Sequence, residues 1–210
     1  MSTTPITIIG IGNMGAAITG VAVKSGAPVQ VLARDLEKAT ALAGSTGAVA
    51  GTVGDPITGE IVVLAVPYSA IDELIAEYGA QLAGKTVVDI TNPVDFSTFD
   101  GLVVPADGSG SAELAAALPA SHVVKAFNTT FAATLATGQV AGEHPTTVLV
   151  VGDDQAAKAS VIAFIEDGGL AATDAGSLKR ARELESLGFL QISLAAAEKV
   201  SWTGGFAVHS

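Results

Sequence analysis

Cysteine is absent from the chain, which excludes disulfides and thiolate-ligated metals. Positive charge is scarce: 10 Lys and Arg stand against 21 Asp and Glu, for a formal net charge of −11. That balance argues against nucleic acid and anionic membrane as partners, since both need a basic face. No apolar run is long enough to span a bilayer. The opening residues, Met1 to Pro5, lack the basic n-region of a signal peptide, so a cytoplasmic protein is expected. Metal-ligand spacing is missing among His122, His144 and His209, and no metal site is read. No Ser–His–Asp set or paired acidic motif stands in a catalytic context, so no catalytic side chain is assigned. What remains is 49% hydrophobic, with a mean hydropathy of +0.52. Ala, Val and Gly in buried parallel strands account for that value. A chain of 210 residues suits one domain, or one domain with a small appendage.

Short apolar runs alternate with helical patterns. Strands are expected at 6–9, 29–32, 61–66, 86–90, 123–126 and 147–151, with shorter ones near 47–50 and 171–175. Helices are expected at 13–24, 36–43, 70–78, 112–118, 131–136, 155–166 and 179–200. This alternation implies an α/β, Rossmann-type doubly wound, mainly parallel sheet with a small C-terminal helical extension. We expect a nucleotide-binding domain over 1–150 and an extension over 151–210 that completes a cleft. The segment 96–111 is loop-like, in a position where this architecture places ligand contacts. Leu184, Leu187, Leu190, Gln191 and Leu194 form an apolar stripe at helical spacing, for core packing or a dimer contact.

The most informative segment is Gly10, Ile11, Gly12, Asn13, Met14 and Gly15, which follows a β-branched strand and opens a helix. In a dinucleotide-binding turn, Gly10 permits the tight bend. Gly12 lets the backbone approach a diphosphate, and Gly15 lets helix and strand pack closely. The phosphates then meet unpaired N–H groups at the positive end of the helix. NAD-binding proteins carry a carboxylate about twenty residues further on; that place falls on Ala33, followed by Arg34. The guanidinium of Arg34 suits a 2′-phosphate, so NADP(H) is expected. Asp35 either caps the helix at Leu36 or turns inward, which would favour NAD. Two further strand ends, Ala65-Val66-Pro67 and Thr91-Asn92-Pro93, are expected to touch the dinucleotide, the first beside its nicotinamide half.

These motifs, with Asp89-Ile-Thr-Asn-Pro93, Ser111-Ala-Glu113, Val123-Val-Lys-Ala-Phe-Asn128, Val151-Gly-Asp-Asp154 and Asp174-Ala-Gly176, resemble the NADPH-dependent coenzyme F420 reductase family. They are also similar to the reductase domain of six-transmembrane metalloreductases. The resemblance implies a Rossmann domain, NADPH along the sheet edge, a homodimer, and a small-molecule redox acceptor (coenzyme F420) stacked over the nicotinamide. Direct hydride transfer of this kind needs alignment more than a general acid. A deazaflavin-reducing member implies a His in the turn that here reads Phe127-Asn128-Thr129, and Asn128 matches the metalloreductase-like branch. Other acceptors therefore stay open, a flavin or a ferric chelate, as does a non-catalytic NADP-sensing module.

Asn128 is the candidate for lining the acceptor pocket and Lys125 for touching acceptor or cofactor. A basic patch of Lys125, Lys179, Arg180 and Arg182 could draw an anionic acceptor. Glu113, Asp153 and Asp154 read as helix-start residues, and Trp202 and Phe206 as packing or a cover for an acceptor ring.

Overall fold

The computed structural model describes residues 4–208, so His209 lies outside the described residues. The strands are β1 (Ile6–Ile9), β2 (Val29–Ala33), β3 (Val49–Thr52), β4 (Ile61–Leu64), β5 (Thr86–Asp89), β6 (His122–Lys125), β7 (Gln139–Val140), β8 (His144–Pro145), β9 (Thr147–Gly152) and β10 (Ala171–Gly176). The helices are α1 (Asn13–Lys24), α2 (Leu36–Thr46), α3 (Ile71–Leu82), α4 (Gly110–Ala117), α5 (Ala132–Thr137), α6 (Gln155–Asp167) and α7 (Ala181–Ala196).

Eight strands form one sheet in the order β10-β9-β6-β5-β4-β1-β2-β3. The six from β3 to β6 are parallel and follow the doubly wound Rossmann order. Ile6 of β1 pairs with Val29 of β2 on one side and Ile61 of β4 on the other. The strand order reverses at β1, and the crevice beyond its carboxyl end is where ligands bind in such sheets. Alternation along β1 feeds two cores. Ile6 and Ile8 pack with Ile18, Val21 and Phe164 on one face; Ile9 packs with Leu74, Tyr78 and Leu184 on the other. All four β1 residues are buried, as a strand covered on both faces requires.

The C-terminal part is more than a helical appendage. Strand β9 runs antiparallel to β6 and carries β10 beside it, extending the sheet. The expected boundary at 150 therefore falls inside β9, and the two portions share a sheet. The expected helix over 179–200 begins as a single 3-10 turn, Leu178–Arg180, before α7. Helix α7 buries Ala181, Leu184, Glu185, Gly188, Gln191 and Ala195. Of the expected stripe it buries Leu184 and Gln191, half-buries Leu187 and Leu194, and leaves Leu190 50% exposed. The cause is the fit of Glu185 and Gly188 against the sheet ends, described below.

Candidate functional site

The turn from β1 to α1 has the three glycine roles in separate form. Gly10 adopts φ +106°, and a Cβ there would lie 2.2 Å from Ala65 O. A Cβ on Gly15 would lie 2.1 Å from Gly10 O, so helix and strand approach too closely for any side chain. Gly12 differs: a Cβ there meets nothing within 4 Å. It is exposed and is the N-cap of α1, with no side-chain cap and no acidic residue in the first turn. The first N–H groups of α1 therefore have no intrahelical partner and face open space, a cradle that fits a diphosphate.

Two cavities open on either side of this turn. The first, about 380 Å³, is lined by Gly10, Ile11 and Gly12, by Ala33, Arg34, Asp35 and Lys38, and by Ala65, Val66 and Pro67. Asp35 caps α2, its Oδ1 accepting from Lys38 N at 3.1 Å. That hydrogen bond is the main reason its carboxyl lies below the ordinary Asp value. The carboxylate caps the helix and pairs with Lys38 Nζ at 3.3 Å, so Arg34, Asp35 and Lys38 line the cavity together. Lys38 was not singled out from sequence; its place four residues after Arg34, in the first turn of a helix, was the available signal. The Ala65–Pro67 turn lies in this cavity, with Arg34, instead of the one holding Asn128. Strand β4 neighbours β1, and its end closes directly on Gly10, with Ala65 N donating to Ile9 O at 2.8 Å.

The second cavity, about 760 Å³, starts on the other side of the turn at Asn13 and Met14. Ile90, Asn92, Asn128, Phe131, Ile192 and Trp202 also line it. Asn92 and Asn128 are locked together. Asn92 Nδ2 donates to Asn128 O at 2.8 Å, and Asn128 Nδ2 donates to Asn92 Oδ1 and to Leu184 O, both at 2.9 Å. Asn128 Oδ1 is buried and has no partner among the described residues. Helix α7 presses on this pair through Gly188, where a Cβ would lie 2.4 Å from Asn92 Oδ1. A glycine inside a helical pattern was the sequence signal for that approach. Pro93 is buried and lines neither cavity, and nor does any residue of 96–111.

Lys125 does not reach either cavity. It is fully buried, with Nζ 2.9 Å from Asp89 Oδ2, 2.8 Å from Glu185 Oε1 and 2.6 Å from Thr91 O. Ser111 Oγ donates to Asp89 at 2.6 Å, and Gly110 N donates to Glu185 at 3.0 Å. Burial pushes the Asp89 carboxyl up, but the Lys125 charge, the Ser111 hydroxyl and Thr91 N–H together hold it below the ordinary value. The cluster ties β5, β6, α4 and α7 together behind the Asn92–Asn128 pair. A lysine at a strand end reads as a ligand contact only when its partners, 36 and 60 residues away, are unknown. The expected basic patch is likewise not assembled: Lys125 is internal, and Arg182 pairs with Glu183 at 3.1 Å. Asp154 caps α6 through Ala157 N, and Asp153 accepts from Leu178 N, as structural residues. Among the described residues no cluster of His, Cys, Asp or Glu could hold a metal ion. No helix among them is long and apolar enough to cross a membrane.

Residues 5–93 match the family model described as NADP oxidoreductase, coenzyme F420-dependent. The chain is 32% identical over 150 residues to the F420-dependent NADP reductase of Methanocaldococcus jannaschii, across 70% of this chain and 66% of that protein. It is 32% identical over 183 residues to metalloreductase STEAP3 of Rattus norvegicus, across 86% of this chain and 35% of that protein. The chain therefore spans about a third of the second relative and just under two thirds of the first. A structure from Arthrobacter sp. FB24, described as a candidate F420-dependent NADP-reductase, aligns over 99% of this chain and 100% of its own, with TM-score 0.83 and 27% identity. Fold and first turn together define a Rossmann-type dinucleotide-binding protein. Over residues 5–93 the chain is similar to the coenzyme F420-dependent NADP oxidoreductase family.

Proposed function

We propose that the protein transfers hydride between NADP(H) and a deazaflavin of the coenzyme F420 type. The observation that carries this reading is the meeting of two cavities at one glycine turn, one ending at Arg34 and Lys38 and the other at Asn128. Bound NADPH supplies a hydride from its nicotinamide ring. The chain's own groups do the placing. Backbone N–H groups of the first turn of α1 hold the diphosphate, with Gly12 leaving room for it. Arg34 and Lys38 take the 2′-phosphate. Asn92 and Asn128, locked to each other, would form the wall beside the nicotinamide half. Met14 and Ile90 keep water from the reacting faces. Proximity and alignment of two flat rings supply the rate, and no side chain need move a proton.

Adding NADPH to protein and oxidised F420 should bleach the deazaflavin absorbance rapidly, with no bleaching by Gly12→Val protein. Asn128 in the acceptor turn and the likeness to a metalloreductase support a second reading, with a flavin or ferric chelate as acceptor. Turnover of free flavin with none of F420 selects it. Tight NADPH binding with no turnover of any acceptor would instead mark an NADP-sensing module. The reading places the protein in the cytoplasm as a homodimer, with a solution mass twice the 20.8 kDa of the chain.

A further inference from the structure

Not one of the described residues lining the second cavity carries a charge, although the first cavity holds Arg34, Asp35, Lys38 and Glu73. The acceptor-side walls are aliphatic, thioether, amide, hydroxyl and aromatic. Phe131 and Trp202 meet there with ring centroids 4.9 Å apart at 58°. Phe131 is buried against the fold, whereas Trp202 is 53% exposed at the cavity rim. The tail that carries it is fixed at two points. Thr203 O accepts from Ala141 N at 2.8 Å, and the buried Gln191 accepts from Phe206 N at 3.0 Å while donating to Thr129 O. Trp202 is thus a half-open aromatic face held over a neutral slot. It is also the only tryptophan of the chain.

Resting on the hydride-transfer reading above, we propose that the slot recognises the uncharged ring of its acceptor and leaves any anionic tail in solvent, with Trp202 stacking on the ring. An unpaired phosphate or carboxylate drawn into walls that offer no cation would lose hydration without compensation. A flat heteroaromatic ring loses little hydration and gains the stacking of an aromatic partner. Trp202 is a binding residue for the acceptor and takes no part in the chemistry. The step balances as NADPH, oxidised ring and one solvent proton giving NADP⁺ and the dihydro ring.

The test uses riboflavin, FMN, a tailless 5-deazariboflavin and F420 as acceptors at saturating NADPH, together with acrylamide quenching of the single tryptophan. Riboflavin should be reduced at least as efficiently as FMN, and deazariboflavin as efficiently as F420. Riboflavin added without NADPH should shield Trp202 from acrylamide. Trp202→Leu should raise the riboflavin KM roughly five- to tenfold with kcat and NADPH affinity kept, and Trp202→Phe should restore it. An unchanged KM in Trp202→Leu, an unshielded tryptophan, or a hundredfold preference for the tailed acceptors overturns the inference while leaving hydride transfer intact. Saturable shielding with no reduction of any acceptor overturns the hydride-transfer reading while leaving the ring slot in place.

Discussion

A side chain at Gly12 and one at Gly15 would fail for different reasons. At Gly15 the added carbon runs into the backbone of Gly10, so the protein itself suffers. At Gly12 it enters open space, so only a ligand notices it. Gly15→Ala should therefore lower stability by about 1–3 kcal/mol, the usual range for overpacking. Gly12→Val should stay within about 1 kcal/mol of wild type, since Gly is only a modest N-cap. Urea denaturation paired with NADPH titration separates the two: Gly12→Val keeps its midpoint and loses nucleotide, Gly15→Ala loses its midpoint first. Charge at the end of β2 gives the next prediction. Arg34→Glu should weaken NADPH about tenfold or more beyond its effect on NADH, because a charge-assisted bond to the 2′-phosphate is replaced by repulsion. Equal losses for both nucleotides would remove Arg34 from the phosphate site. The glycine turn and the place of Arg34 beside it were legible from sequence because both are set by short-range chain geometry. Lys125 was not, since its role is set by Asp89 and Glu185, which only the folded chain brings within 2.9 Å.

Helix α7 shows what a periodic pattern leaves out. The spacing of Leu184, Leu187, Leu190 and Leu194 gave the helix but not its rotation. Two residues that hydropathy discounts set the rotation: Glu185, which meets Lys125, and Gly188, which admits Asn92. The strand positions of the core were easier to read, because a buried parallel strand is apolar on both faces. The buried cluster makes the docking of α7 sensitive to acid. The Asp89 carboxyl is held below its unfolded value of about 3.9, so its contribution is complete above that value and is lost as pH falls through the folded one. Thermal melts between pH 6 and pH 3 should show a steep fall at the acid end, and Asp89→Asn should be less stable at neutral pH with a shallower acid limb. Lys125→Met leaves two carboxylates buried without their cation and should lower stability by about 3–5 kcal/mol at neutral pH. A Lys125→Met protein as stable as wild type would show that the cluster does not anchor the helix.

Across the whole molecule, charge and cavity act at different ranges. The net charge of −11 repels any anion at long range, and none of the described residues lining the second cavity reverses that field at short range. Lys179 and Arg180 stand exposed at the start of α7 but are not among the residues that line the cavity. Composition alone made the repulsion legible. The neutrality of the cleft was not, because its walls come from α1, from the ends of β5 and β6, from α5, from α7 and from the tail. The two ranges together predict an unusual salt response. At saturating NADPH, kcat/KM for FMN or F420 should rise severalfold between about 0.02 M and 0.2 M salt, as the Debye length shortens from roughly 20 Å to below 10 Å. Riboflavin, having no charge to repel, should show a flat profile over the same interval. Stopped-flow reduction of the three acceptors at stepped ionic strength measures this directly. A fall in kcat/KM with salt for the anionic acceptors would reveal a cationic docking surface for the tail, and Lys179 and Arg180 would then be the first residues to neutralise.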